Sequence, residues 1–354
     1  MVTDYYNWND TLARDADITM VIGARGIGKT YGIRLQFVKD YLKKGYRFVE
    51  LVRYKNELPD FTPTYFQRIE ENDEFPGYIF KTSVRHAYIA KKTENGDKPE
   101  WQIFGYFGSL SQAQSMKKWT FSNVRRIYLD EAVIDKRIDR WHGYLRNEYS
   151  ALASIVDSVA RENKKNKTNI KPSVILTGNA CDLMNPYFIA AGIYEPPKEG
   201  YTWWRDKTML VHYVQSKEYG NEKREDTVAG RMLKGTVDDS IANDNAFVRQ
   251  TTDFVSNKSK NAKFYFGIVY QSQKFGVWID KKEGYYYVTS KIPNNAEPIF
   301  ALTTEDNRVN YIMGKRVEAA LRGFVDMYYM GIVRFESPEM KGRFTDVLQL
   351  FGVR

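Results

Sequence analysis

The sequence predicts an α/β protein of two domains: a P-loop nucleotide-binding domain over residues 1–200 and a smaller α+β domain over 244–354, joined by a connecting segment at 201–243. Three observations carry this. Short apolar runs alternate with amphipathic stretches through the first 200 residues, as helices flanking a sheet require. A glycine-rich run, Gly23–Thr30, lies between one apolar run and the amphipathic stretch after it. From Phe264 onward, apolar runs are separated by short turn-like segments at hairpin spacing.

Element by element, Ile18-Thr19-Met20-Val21-Ile22 reads as a buried strand that feeds the glycine-rich turn. The spacing then predicts a helix over Lys29–Lys43, with Ile33, Phe37 and Leu42 among its apolar positions, stopping at Gly45. Arg47–Arg53 reads as the next strand, and prolines at 59, 63 and 76 leave Asn56–Gly77 mostly irregular. Val124–Asp130 and Val174–Thr177 are further strands. Between them, Asn147–Asn163 places Leu152, Ile155, Val156 and Val159 on one helical face. Pro196-Pro197 breaks the pattern, and Ser216–Asp226 is strongly polar, hence the connecting segment. Strands Phe264–Tyr270, Phe275–Ile279 and Tyr285–Thr289 follow, turned at Gln271–Lys274 and Lys281–Gly284. Helices over Val309–Met330 and near Phe344–Phe351 close the chain.

A chain of 354 residues with 43% hydrophobic and 15% aromatic residues can bury a core for each domain, and 27% charged residues argue against disorder. The longest apolar stretch, around Phe264–Tyr270, is far short of the roughly 20 residues a membrane span needs. The first residues, Met1–Tyr6, lack the basic-then-apolar layout of a signal peptide. Cys181 is the single cysteine, which excludes an internal disulfide and argues against a cysteine zinc site; His86, His142 and His212 have no ligand spacing. The expectation is a soluble cytoplasmic protein with no membrane partner. Lys plus Arg number 53 against 44 Asp plus Glu, and the net charge of +9, spread along the chain, suggests a polyanionic partner.

Gly23-Ala24-Arg25-Gly26-Ile27-Gly28-Lys29-Thr30 fits GxxxxGK(S/T) at every specified position. Glycines permit positive φ and let backbone N–H groups close around phosphates at the positive end of a helix. Lys29 is expected to reach the β- and γ-phosphates of ATP, and the Thr30 hydroxyl to bind Mg²⁺. A P-loop needs a metal-holding acid on a neighbouring strand, and Ile127-Tyr128-Leu129-Asp130-Glu131 has the Walker B form. Asp130 would hold Mg²⁺ beside Thr30, while Glu131 would polarise the attacking water, which favours hydrolysis over a switch that only binds. Thr177-Gly178-Asn179 ends a strand and is either a γ-phosphate sensor or a plain turn. Arg161, at the end of its helix, is either an arginine finger or a cation favoured by the helix dipole.

These residues resemble the DNA-packaging (encapsidation) ATPases of small podoviruses, the Picovirinae type. The likeness starts at Val21–Lys29 and runs through Arg53-Tyr54-Lys55-Asn56-Glu57-Leu58, Gln114-Ser115-Met116-Lys117 and Asp130-Glu131. It continues at Thr177-Gly178-Asn179-Ala180, Asn185-Pro186-Tyr187-Phe188, Phe266–Tyr270 and Gly276–Asp280, in collinear order over most of the chain. The resemblance implies a ring ATPase, typically pentameric, that pumps double-stranded DNA through the portal into a procapsid. It also implies an additional-strand catalytic glutamate (ASCE) fold with a vestigial RNase H-like tail. By position, Lys29 and Thr30 bind phosphate and Mg²⁺, Asp130 is the Walker B acid, Glu131 the catalytic base and Arg161 the trans-acting finger. Lys55 and Lys117 match basic positions near the subunit interface. The family's Ser-Asn coupling pair is Gly178-Asn179 here, so only Asn179 carries over. Such a protein would act in the host cytoplasm, transiently at the portal vertex, and close relatives use a structural packaging RNA.

Two readings stay open for the basic loop after Arg161: Lys164, Lys165 and Lys167 line a DNA pore, or they form a solvated turn. The tail's first strand carries no acid, and Asp280, Glu305 and Asp306 complete no two-metal cluster, so no nuclease activity is expected. The competing readings are a terminase with an active nuclease tail, a nucleotide-bound ring scaffold and, more weakly, a helicase.

Overall fold

The computed structural model describes residues 6–24, 26–93, 97–134, 143–145, 147–181, 183, 185–214, 228–233 and 254–351. The chain divides into two units, Met1–Asp182 with Pro197–Phe247, and Leu183–Pro196 with Val248–Arg354. In chain order the elements begin α1 (Trp8–Leu12), β1 (Ile18–Ile22), α2 (Lys29–Lys44), β2 (Arg47–Val52), α3 (Leu58–Phe61), α4 (Gln67–Glu71), β3 (Tyr78–Thr82), β4 (His86–Lys91) and β5 (Gln102–Ser109). Then come α5 (Ala113–Met116), β6 (Val124–Leu129), α6 (Glu148–Lys165), β7 (Ser173–Gly178), α7 (Pro186–Ala191), β8 (Gly200–Trp204) and β9 (Met209–Tyr213). All but α7 belong to the first unit.

The first sheet has the strand order β3-β4-β5-β2-β6-β7-β1-β9-β8. From β5 to β9 every neighbouring pair is parallel, and the edges are finished by antiparallel strands. Parallel strands need cover on both faces, and Met20, Val21, Ile22, Phe48, Val49, Ile127, Tyr128, Ile175 and Leu176 are buried accordingly. Helix α2 supplies Ile33, Phe37 and Val38 to this core, where the Phe37 and Phe48 rings stack with centroids 4.4 Å apart. It ends at Gly45 (φ 66°), whose N–H bonds to the Tyr41 carbonyl. Strand β7 lies between β1 and β6, the additional strand of the ASCE arrangement. The carboxyl ends of β1, β6 and β7 therefore deliver Gly23, Asp130 and Asn179 to one edge, where open α/β sheets bind ligands.

The expected connecting segment 201–243 is corrected over its first part. Strands β8 and β9 complete the sheet there, with β9 pairing in parallel with β1. The polar stretch at 215–227 lies outside the described residues. Asn56–Gly77 is also less irregular than its prolines suggest, because Pro59 sits in the first turn of α3, where no N–H is needed.

In the second unit, β10 (Lys263–Tyr270), β11 (Gln273–Asp280) and β12 (Tyr285–Thr289) form an antiparallel meander. Strands β13 (Ile299–Ala301) and β14 (Val333–Phe335) join its edges in parallel with β10 and β12. The first turn is tighter than expected: only Gln271 (φ 50°) and Ser272 (φ 62°) separate the strands, a two-residue hairpin. Phe266, Phe275, Phe324, Phe335 and Phe344 fill the core between this sheet and the helices Lys315–Tyr329 and Pro338–Leu350. The first of these helices starts later than the expected Val309, because Gly314 (φ 82°, ψ −149°) has a conformation no helix continues through.

Candidate nucleotide site

The loop after β1 turns on two glycines in the left-handed region, Gly26 (φ 81°) and Gly28 (φ 80°), and Gly28 caps α2. Arg25, between them and β1, lies outside the described residues. The Gly23 N–H donates to the Gly178 carbonyl at 3.1 Å, joining the start of the loop to the end of β7. Lys29 is buried, and its ammonium donates to the Gly23 and Ala24 carbonyls at 2.8 Å each. The positive charge is thus held inside the loop that a phosphate chain would enter.

Asp130 gathers the rest. Its Oδ2 accepts from the Thr30 hydroxyl at 2.7 Å, and its Oδ1 accepts from the Thr177 hydroxyl at 2.6 Å and the Glu131 N–H at 2.9 Å. Three segments of the chain meet at one carboxylate. The donors are hard oxygens, a carboxylate and a hydroxyl, which suits Mg²⁺ held by few protein ligands and several waters. Around them is a cavity of about 330 Å³ lined by Gly26–Tyr31, Asp130, Glu131, Gly178 and Asn179, together with Arg68 and Asn72.

Glu131 is exposed and stands at φ 48°, left-handed for a residue with a side chain, so the turn after β6 stores strain where an acid is displayed. Arg53 braces this turn from behind. Its Nη2 donates to the Glu131 and Ala132 carbonyls at 3.2 and 3.0 Å, and its guanidinium pairs with Glu148 at 3.0 Å. Below the site, Glu50 is fully buried and paired with Arg34 at 2.9 Å, and it also accepts from the Tyr65 hydroxyl. Burial raises the Glu50 carboxyl above its ordinary value, opposed by the neighbouring Arg34 charge.

Among the described residues, the structure brings Gly26, Ile27, Gly28, Lys29, Thr30, Asp130, Glu131 and Asn179 to one cavity, with Gly23 and Ala24 behind the Lys29 ammonium. It does not bring Arg161, Lys55, Lys117, Lys164, Lys165 or Lys167 there. Arg161 lies well exposed on α6, pairing with Asp157 at 3.2 Å and donating to the Ser158 hydroxyl at 3.3 Å. Lys164, Lys165 and Lys167 are exposed at the end of the same helix, Lys165 facing Glu162 at 3.7 Å. Lys55 and Lys117 are exposed as well, and the Lys55 N–H donates to the Ser111 hydroxyl at 3.1 Å. Sequence reasoning missed Arg53, Arg68 and Asn72. It also missed the contact of Thr177 with Asp130, whose only sequence signal is its place one residue before Gly178. At Gly178 itself, an added Cβ would lie 3.0 Å from the Val133 side chain, so the coupling hydroxyl lacking there has little room.

The family model described as "Podovirus DNA encapsidation protein (Gp16)" matches residues 2–349. The chain belongs to this family. Over 332 residues the podovirus encapsidation family member described here is 30% identical to the "DNA packaging protein" of Bacillus phage B103, spanning 93% of this chain and 96% of that one. A chain of the bacteriophage Phi-29 viral genome packaging motor assembly is similar at 26% identity and a TM-score of 0.67, over 99% of this chain and 100% of its own. The Phi-28 gp11 DNA packaging motor shares the fold at a TM-score of 0.73, with 18% identity over 99% of each chain.

Proposed function

We propose that this encapsidation-family protein is the ATP-hydrolysing subunit of a viral DNA-packaging motor, which drives double-stranded DNA through a portal into a procapsid. The observation that carries the reading is the meeting of Thr30 and Thr177 at Asp130 inside the cavity beside the phosphate loop. Backbone N–H groups from Gly26 to Thr30, with Arg25 in the same loop, take the phosphates, and Lys29 moves from its carbonyl partners onto them. Thr30 and Asp130 hold Mg²⁺, which supplies charge neutralisation of the phosphate oxygens when bound. Glu131 orients and deprotonates the attacking water. Asn179 contacts the γ-phosphate, and Thr177 carries its loss to Asp130 along β7.

Arg161 is exposed and absent from its own subunit's cavity, which supports a role in a neighbour's site within a ring, pentameric as the resemblance implies. Lys55 and Lys117 belong to that interface in this reading, and Lys164, Lys165 and Lys167 contact DNA phosphates. A structural packaging RNA is a further partner, and the protein works in the host cytoplasm and briefly at the portal vertex. In this reading the tail does no nuclease chemistry. Asp280 accepts from Ser259 and from the Lys282 and Glu283 N–H groups, and Asp306 from the Gln271 and Ser272 N–H groups, so both acids close turns.

The test is ATP turnover with and without double-stranded DNA for wild type, Arg161→Ala, Glu131→Gln and an equal mixture of the two variants. Stimulation by DNA, with activity in the mixture that neither variant has alone, is expected. No response to DNA and no recovery on mixing would leave a self-contained ATPase or a nucleotide-bound scaffold.

A further inference from the structure

Among the described residues, the cavity lining contains one cation that the proposed chemistry leaves unused. Arg68, on α4, lines it together with Asn72. Among the described residues the Arg68 guanidinium makes no ion pair and no side-chain hydrogen bond. This is not for want of acids, since Glu70, Glu71, Asp73 and Glu74 lie within six residues of it. Each is held elsewhere. Glu70 accepts from the Phe80 N–H at 3.2 Å, Glu71 from Gln67 Nε2 at 2.8 Å and Glu74 from the Tyr31 hydroxyl at 2.5 Å, while Asp73 faces Lys92 at 3.9 Å. Elsewhere in this unit, Arg34, Arg53, Arg125 and Arg126 are each matched to a carboxylate.

The segment that carries Arg68 is fastened to the phosphate loop. Asn72 Nδ2 donates to the Tyr31 hydroxyl at 2.9 Å, and Tyr31 directly follows Thr30. Arg68 also lines a second cavity, of about 430 Å³, that again touches Thr30 and Tyr31. With Arg68 counted, the described charges of the nucleotide cavity balance, Lys29 and Arg68 against Asp130 and Glu131. Without it the described lining holds one cation, Lys29, against two acids. A guanidinium offers five donors in a planar fork suited to phosphate oxygens.

We propose that Arg68 is a nucleotide-binding residue that grips the phosphate chain from within the same subunit, with Asn72, Tyr31 and Glu74 holding its segment against the start of α2. This rests on the nucleotide site proposed above.

The experiment is equilibrium binding of a fluorescent ATP analogue to the full-length protein, over a series of salt concentrations, for wild type, Arg68→Ala, Arg68→Lys and Lys29→Ala. Arg68→Ala is expected to weaken binding about tenfold or more, as loss of a charge-assisted contact does, and to flatten the salt response. Arg68→Lys recovers part of the affinity, and the thermal midpoint without nucleotide is unchanged. Wild-type affinity in Arg68→Ala alongside lost binding in Lys29→Ala overturns the role of Arg68 alone. So does weaker binding with an unaltered salt response, which marks a merely structural effect. Wild-type affinity in Lys29→Ala as well overturns the nucleotide site itself.

Discussion

Arg53 grips Glu148 through two nitrogens, Nε at 3.0 Å and Nη2 at 3.2 Å, with both side chains buried. The same Nη2 reaches the Glu131 and Ala132 carbonyls. One cation therefore joins the end of β2, the turn after β6 and the first residue of α6.

Removing one partner of this pair leaves an uncompensated buried charge. Glu148→Ala is expected to destabilise the protein by about 3–5 kcal/mol, read as a lower thermal midpoint. The double variant Arg53→Met/Glu148→Leu should regain much of that loss, because no unpaired charge remains. ATP turnover should stay low in it, since the Glu131 turn has lost its brace.

Asp130→Asn keeps the shape of the residue that joins Thr30 and Thr177 but removes the charge that suits a metal. Mg²⁺-dependent ATP turnover should fall by about a hundredfold or more, while the thermal midpoint of the nucleotide-free protein changes little. Turnover at different Mg²⁺ concentrations checks this, and an unchanged metal requirement would contradict it.

Glu131 stands at φ 48°, a conformation that costs an L-residue roughly 1–2 kcal/mol and glycine almost nothing. Glu131→Gly should therefore lose turnover without losing thermal stability, and Glu131→Gln should lose turnover at unchanged stability. A melt paired with a phosphate-release assay separates these effects.

In the second unit, a Cβ at Gly276 would lie 2.1 Å from the Lys291 carbonyl oxygen. Backbone cannot swing aside as a side-chain tip can. Gly276→Ala should cost about 1–3 kcal/mol or more and speed hydrogen exchange in β11 and β12, with the β1 and β6 amides unaffected.

His212 is buried between the Tyr6 hydroxyl, 2.6 Å from its Nδ1, and the stacked Tyr201 ring. Burial, helped by the Arg14 charge, lowers its pKa from 6.5 to about 4. The unfolded chain then takes up a proton between pH 6.5 and about 4 while the folded one does not. Stability falls as pH drops through that window and is fully present above it. Melting curves from pH 7.5 to 4 should show this decline, and it should be shallower in His212→Gln.

The residues that sequence reasoning located are those whose chemistry is local. The phosphate loop, the Asp130-Glu131 strand end and the α2 and α6 spans each follow from a run of neighbouring residues, and the structure matches them closely. What stayed illegible depends on distant partners. Strands β8 and β9 look like a linker because their sequence lies beside proline breaks, and only pairing with β1 explains them. Arg53 reads as an ordinary strand end until Glu148, 95 residues away, is seen against it. Arg68 has no signal at all, since an unpaired arginine and a paired one have the same letter.

Helix α6 is anchored at Glu148 and displays Arg161 thirteen residues later, about 20 Å along the axis at 1.5 Å per residue. The far end is fastened as well: Asn163, two residues past Arg161, donates to the Val124 and Ile170 carbonyls at 2.7 and 3.0 Å and accepts from the Val124 N–H at 3.1 Å. A rod held at both ends is a strut. It keeps Arg161 at a fixed distance from the Glu131 turn, so in the proposed ring the two reach a neighbouring subunit as one rigid edge.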